Sequence, residues 1–173
     1  VVEVLAPRWC NLDHSSWGLD HGTWSVLAHV FPEADVPVVQ LAIDATLPYE
    51  DHLDIGARLA PLRERGIMVI GSGNVVHNLR RIQWAAEGRG EDWAQRFDDA
   101  ARDALLTDPA SVTALADHPD HYLAVPTPDH FLPFVYFAGL ASGSATPPEV
   151  LVAGCTMGSL SMTSYTLDAP VEA

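Results

Sequence analysis

At 173 residues the chain can bury a core of its own, and its net charge of −14, with nine arginines and no lysine, excludes a basic nucleic-acid footprint, a Schiff-base lysine and a Walker-type lysine. Its apolar runs are strand-sized, far short of the roughly 20 residues a membrane span needs. Two cysteines without a CxxC pattern, Cys10 and Cys155, build neither a zinc knuckle nor a disulfide scaffold, so a reduced, cytoplasmic protein with no nucleic-acid and no membrane partner is expected.

In chain order, Val1 to Leu5 carry neither the basic start of a signal peptide nor an initiator Met. Gly22 to Phe31 reads as a helix, with Trp24, Leu27 and Val30 at helical spacing. Val36 to Ile43 is a strand candidate, its Pro37 near the start where a missing N–H is tolerable. Leu47-Pro48-Tyr49-Glu50 opens a second helix, which should run through Leu53, Ala57, Leu59 and Leu62 and stop near Gly66. The run Ile67 to Ile70 follows as a strand, giving a β-α-β unit with parallel strands and a right-handed crossover.

Gly88-Arg89-Gly90 marks a loop. From Asp92 to Leu106 a third helix places Trp93, Phe97, Ala101 and Ala104 or Leu105 on one face. Residues 107–126 hold three prolines and suit a brief helix and a turn. Thr127 then reads as an N-cap with Pro128 at the first helical position, and the helix through Phe134 and Phe137 is apolar nearly all round, hence buried. Glu149 to Ala153 and Ser159 to Leu167 could close as a hairpin on a sheet edge. The expected fold is therefore α/β, a mixed, largely parallel central sheet flanked by helices, in one domain over residues 1–173.

Three histidines stand in places where chemistry is done. His77 follows the strand Ile67 to Ile70 and a glycine-opened turn, Gly71-Ser72-Gly73-Asn74, at the end where open α/β sheets bind ligands. The turn is not a dinucleotide fingerprint, because Val76 stands where the third glycine would be, and no Lys-Ser/Thr pair makes it a P-loop. His77 reads either as a functional imidazole or as one bonded to a backbone carbonyl.

His130, in the first turn of a helix, is disfavoured as a cation and suits a metal as neutral imidazole, or else packs beneath Phe131 and Phe134. His21 opens a helix beside Asp20, which either orients the imidazole or caps the helix. Most of His14, His29, His52, His118 and His121 read as solvated. HExxH, Gly-x-Ser-x-Gly and paired carboxylates are lacking.

The Gly71 to Leu79 block resembles a known family when taken with Trp17 to Trp24, Pro126 to Pro133, Val38 to Asp44 and Met157-Gly158-Ser159-Leu160-Ser161-Met162. It is similar to the class III, LigB-type extradiol ring-cleavage dioxygenases, in the 4,5-DOPA extradiol branch, over nearly the whole chain and in the right order. The resemblance implies cleavage of a catechol or DOPA-like ring with O2 at a non-haem Fe(II), with Zn(II) as another metal found in this branch. It implies His130 as metal ligand, His77 as acid–base group or ligand, His21 as a catalytic residue touching substrate, Asn74 as a substrate contact and Asp20 as the group orienting His21.

The family's two further histidine ligands, in a His-Gly-Ser-Pro-like turn and an Ala-His-Trp-like segment, have no match here. The chain is therefore expected to correspond to the C-terminal part of the family domain, with an N-terminal half or a partner chain supplying the rest. Two other functions remain open on the same scaffold. One is a zinc-binding hydrolase-like protein; the other is a catalytically inactive partner subunit or truncated paralogue. Oligomeric state is left undetermined.

Overall fold

The computed structural model describes residues 1–8 and 10–167. After a single turn, α1 (Val2–Leu5), the chain reaches α2 (His21–Val30), which starts where Asp20 accepts the Thr23 N–H at 2.9 Å. The helix forms as expected, yet no residue on it is buried and Trp24 is 56% exposed. α3 (Tyr49–Leu59) and α4 (Pro61–Glu64) replace the single helix expected through Leu62, because Pro61 lacks the N–H that would continue the ladder. The pair ends before Gly66, whose φ of 73° suits glycine alone without strain.

α5 (Asp92–Thr107) buries Trp93, Ala94, Phe97, Asp98, Ala101 and Leu105 along one stripe. Residues 107–126 become a 3-10 stretch, Pro109–Asp117, and the short α6 (His121–Ala124). The next helix does not start at Pro128: Pro128–His130 form a 3-10 turn, and α7 (Leu132–Ser142) follows. Pro133 cannot donate to the carbonyl four residues back, so one continuous helix from Pro128 would lack that bond. α7 is buried nearly throughout, as its apolar sequence demands.

α3 and α7 meet backbone to backbone. A Cβ on Gly56 would fall on the Tyr136 carbonyl, and one on Gly139 on the Leu53 carbonyl and the Ala57 nitrogen. The larger core cluster joins Phe97, Leu105, Val112, Phe131 and Val135 with Val75 and Val76, so the segment before His77 is anchored inside it. A second cluster, around Ile55, Leu59, Leu62 and Tyr136, lies on the other side of α3.

The C-terminal part folds as two nested antiparallel pairs. β1 (Glu149–Val152) pairs with β4 (Ser164–Thr166), and β2 (Cys155–Thr156) with β3 (Leu160–Ser161). Met157 and Gly158, both at positive φ, make the turn between β2 and β3. The α/β class holds, in that helices and strands are mixed. The ladders among the described residues, however, are two-stranded and antiparallel, and the parallel pairing expected of residues 36–43 and 67–70 is not among them. Both segments run without ladder partners, leaving Val39, Met68 and Ile70 exposed. A strand exists only with a neighbour to bond, which its own sequence does not contain.

His52, expected among the solvated histidines, is fully buried on α3 beside Tyr136. Among the described residues neither ring nitrogen has a protein hydrogen-bond partner in good geometry. Burial lowers its pKa, against the nearby carboxylates of Asp44 and Asp51, which raise it.

Two outcomes follow from this packing. Gly139→Ala should lower stability to urea by about 2–3 kcal/mol, because the added carbon overlaps a helix backbone that cannot yield like a side chain. His52 binds a proton less readily folded than unfolded, so its contribution is fully present above about pH 6.5 and is lost as pH falls through its folded pKa. Urea titrations of His52→Leu at a series of pH values between 7.5 and 5 should show a shallower acid loss of stability than the parent.

Candidate active site

The segment Asn74–Asn78 is held by three separate parts of the chain. The Asn74 N–H donates to the His130 carbonyl at 2.9 Å, and the His77 N–H to the Ala124 carbonyl of α6 at 2.9 Å. The Ser161 N–H donates to the Val76 carbonyl at 2.9 Å, and the Asn78 N–H to the Ser159 carbonyl at 3.1 Å, with His77 bridged to Leu160. The Asn74 side-chain amide donates to the Ser161 carbonyl at 2.7 Å. Gly73 is required because a Cβ there would fall on the His130 carbonyl oxygen.

These bonds bring His77 and His130 face to face, with ring centroids 3.5 Å apart and planes 16° from parallel. Burial, then the neighbouring His130, lowers the His77 pKa, while the Asp129 carboxylate opposes both. Asp129 lies 3.5 Å from His130 Nε2, and hydrogen bonding from Thr127 holds its carboxyl below the usual range. Two imidazolium cations at this separation would repel, which adds to burial in disfavouring the charged form of His77.

The other expected site residues lie nearby but apart from the stack. His21 is exposed at the start of α2, and its turn is tied to the Gly71 loop by the Ser72 hydroxyl, which donates to the Gly22 carbonyl at 2.7 Å. Asp20 spends its carboxylate on the Thr23 N–H as the cap of α2, one of the two uses open to it. Asn74 has its amide nitrogen committed to Ser161.

Two features escaped the sequence reading. His121, expected to be solvated, is half-buried, bonds the Tyr49 hydroxyl at 2.9 Å and packs against Phe97 and Phe131. Burial lowers its pKa and pushes the Tyr49 phenol up to about 12. Asp98 is fully buried and accepts the hydroxyls of Ser161 and Thr163. Its signal was legible: an acid on the stripe of Ala94, Phe97, Ala101 and Leu105 must find partners indoors.

A metal would need more than these residues. Among the described residues no group of three or more His, Cys, Asp or Glu side chains is placed to hold one. Imidazole lone pairs lie in the ring plane, so two nearly parallel rings aim alongside each other and do not converge on one point. The pair can supply two donors after a ring rotation, which does not complete a site. An open depression of about 520 Å³, lined by Gly88, Arg89, Gly90, Gln95, Cys155 and Met162 among others, contains neither histidine.

The stack depends on the close passage at Gly73. Gly73→Ala should part the loop from the His130 turn and shift the imidazole resonances of both His77 and His130. Gly18→Ala, with nothing within 4 Å of its new carbon, should leave them in place. NMR of the histidine ring protons checks both variants.

The profile of a family described as "Catalytic LigB subunit of aromatic ring-opening dioxygenase" matches residues 5–167. The chain is 43% identical over 168 residues to a protein of Escherichia coli K12 named 4,5-DOPA dioxygenase extradiol, covering 95% of this chain and 62% of that one. A Beta vulgaris protein of the same name is 34% identical, over 86% of this chain and 55% of its own length. The chain thus spans roughly three fifths of these relatives. A crystal structure of an uncharacterized protein from Escherichia coli K12 superimposes with a TM-score of 0.84 at 42% identity, covering 95% of this chain and 68% of that one. With its site loop, histidine turn and hairpin all inside the matched span, the chain belongs to the LigB family of aromatic ring-opening dioxygenases.

Proposed function

We propose that this chain carries part of the active site of an extradiol dioxygenase, which opens the ring of a catechol-type, DOPA-like substrate with O2. One observation supports the reading above the rest: two imidazoles from separate segments meet at 3.5 Å within a ring-opening dioxygenase domain. The names of the Escherichia coli and Beta vulgaris relatives support an extradiol reaction on DOPA. The activity proposed is that of the whole protein, of which this chain would be the C-terminal part of a single domain.

His77 is the proton carrier of the proposal. Held neutral at neutral pH by burial and by its neighbour, it can take a proton from a substrate hydroxyl through a free ring nitrogen. The Asp129 carboxylate favours the cation so formed. His21, exposed beside the Gly71 loop, is the proposed substrate contact, with Asn74 Oδ1 a second. Fe(II), or Zn(II) in its place, would be held by His130, with His77 either its second donor or, unligated, the proton carrier, since a metal-bound neutral imidazole has no lone pair left to take a proton. The remaining donors would come from an N-terminal half or a partner chain. A non-catalytic partner subunit on the same scaffold is the second reading. Failure to consume O2 separates a zinc-dependent hydrolase from the dioxygenase, and metal-dependent hydrolysis separates it from the partner subunit.

No described helix is long and apolar enough to cross a membrane, and a cytoplasmic location remains part of the proposal.

The test is O2 uptake by the intact protein supplied with Fe(II) and L-DOPA. Uptake matched to catechol loss is expected, and His77→Ala or His130→Ala should each lower kcat/KM by about 100-fold or more. Undiminished turnover in His130→Ala would overturn its role, and an intact protein that takes up no O2 would favour the partner-subunit reading.

A further inference from the structure

Asp98 touches neither histidine of the proposed site, yet it is the buried acid on which the hairpin beside them is hung. It is fully buried on α5, and its two oxygens accept the Ser161 hydroxyl at 2.5 Å and the Thr163 hydroxyl at 2.6 Å. Each hydroxyl oxygen accepts in turn from the hairpin backbone: Ser161 Oγ from the Thr163 N–H at 3.2 Å, Thr163 Oγ1 from the Gly154 N–H at 3.1 Å. One carboxylate therefore gathers the strand before the turn and the strand after it onto α5.

From hairpin to imidazole the connection is short. Ser159 and Ser161 bond Asn78 and Val76 on either side of His77, and Leu160 bridges His77 itself. The Ser161 carbonyl also takes the Asn74 amide, and the Asn74 N–H holds the His130 carbonyl. Both members of the imidazole pair thus lie within two bonded links of Ser161.

We propose that Asp98 is a positioning residue for the imidazole pair: it fixes the hairpin of residues 154–163 on α5, and the hairpin fixes His77 against His130. The residue type matters. Two hydroxyl donors converge here, one on each oxygen of the carboxylate, and these bonds oppose the burial that raises its pKa, whereas an amide offers one acceptor oxygen and turns an N–H₂ towards the other hydroxyl. Hydrophobic packing alone would bury position 98 without bonding residues 161 and 163 to α5; the hairpin's other ties, from residues 157–158 to residues 83–91, hold only its turn. The inference takes from the proposed function only that His77 is a working imidazole, and its test reads ring position without turnover.

The experiment is NMR of the histidine rings in the intact protein, with His77 and His130 assigned through His77→Gln and His130→Gln. Asp98→Asn should shift the ring resonances of both histidines, together with the amides of residues 74–78 and 159–163. Thr163→Ser, which keeps the hydroxyl that donates to Asp98, should leave both rings where the parent has them. Val112→Ala, a truncation of the same core away from the hairpin, should lower Tm without moving the rings. If Asp98→Asn does not fold, Ser161→Ala removes one of the two hydroxyls and should shift both rings in the same direction by less. Unmoved rings in the folded Asp98→Asn or Ser161→Ala protein would overturn the proposal, as would an equal movement in Val112→Ala. Absence of O2 uptake by the parent would remove the dioxygenase reading and leave this result standing.

Discussion

The site rests on one constraint: the main chain of Asn74–Asn78 has its hydrogen bonds satisfied by segments far away in sequence. His130, Ala124 and the Ser159–Ser161 strand each take or give a bond to this short stretch. Val75 and Val76 lock it from below, since both are buried in the larger core. A loop held only by its side chains could drift by an ångström without penalty. This one cannot, because a buried backbone group that loses its partner gives up about 1–3 kcal/mol.

The second imidazole takes its position from helix packing. His130 ends the 3-10 turn directly before α7, and α7 is fixed by its contact with α3 at Gly56 and Gly139. The separation of the two rings is therefore set by two independent supports, a hairpin under His77 and a helix crossing behind His130. The Asn74 N–H to the His130 carbonyl is the tie between them. Nothing in that arrangement calls for the rings to attract each other; burial first, and then repulsion from a charged His130, lowers the His77 pKa.

The sequence disclosed the parts of this design that repeat with a period or carry an unusual residue. α3 and α5 announce themselves through apolar spacing and α7 through its continuous apolar run, whereas the cap expected at Thr127 makes no side-chain bond; His77 and His130 stand out beside glycines and prolines. The strands were less legible. Residues 36–43 and 67–70 have strand composition, but a ladder belongs to two segments at once, and the described residues offer these none. Buried polar residues were hardest. His52 was assigned to solvent because a lone imidazole looks hydrophilic, although its position beside Ile55, Gly56 and Leu59 placed it on the inward face of α3. Asp98 was readable by the same helical arithmetic, but its purpose depends on Ser161 and Thr163, more than sixty residues away.

The unpaired apolar segments carry a consequence for behaviour in solution. Residues 36–43 contain no ionisable group and a single proline near the start, after which Val38, Val39 and Ile43 stand exposed with no ladder partner among the described residues. Open strands of this kind can template pairing between molecules. Opposing this is a net charge of −14, which makes copies repel. Repulsion is screened within about 10 Å at 0.1 M salt, whereas apolar contact is not weakened. Colloidal stability of the chain is thus governed by ionic strength, with added salt driving it towards self-association.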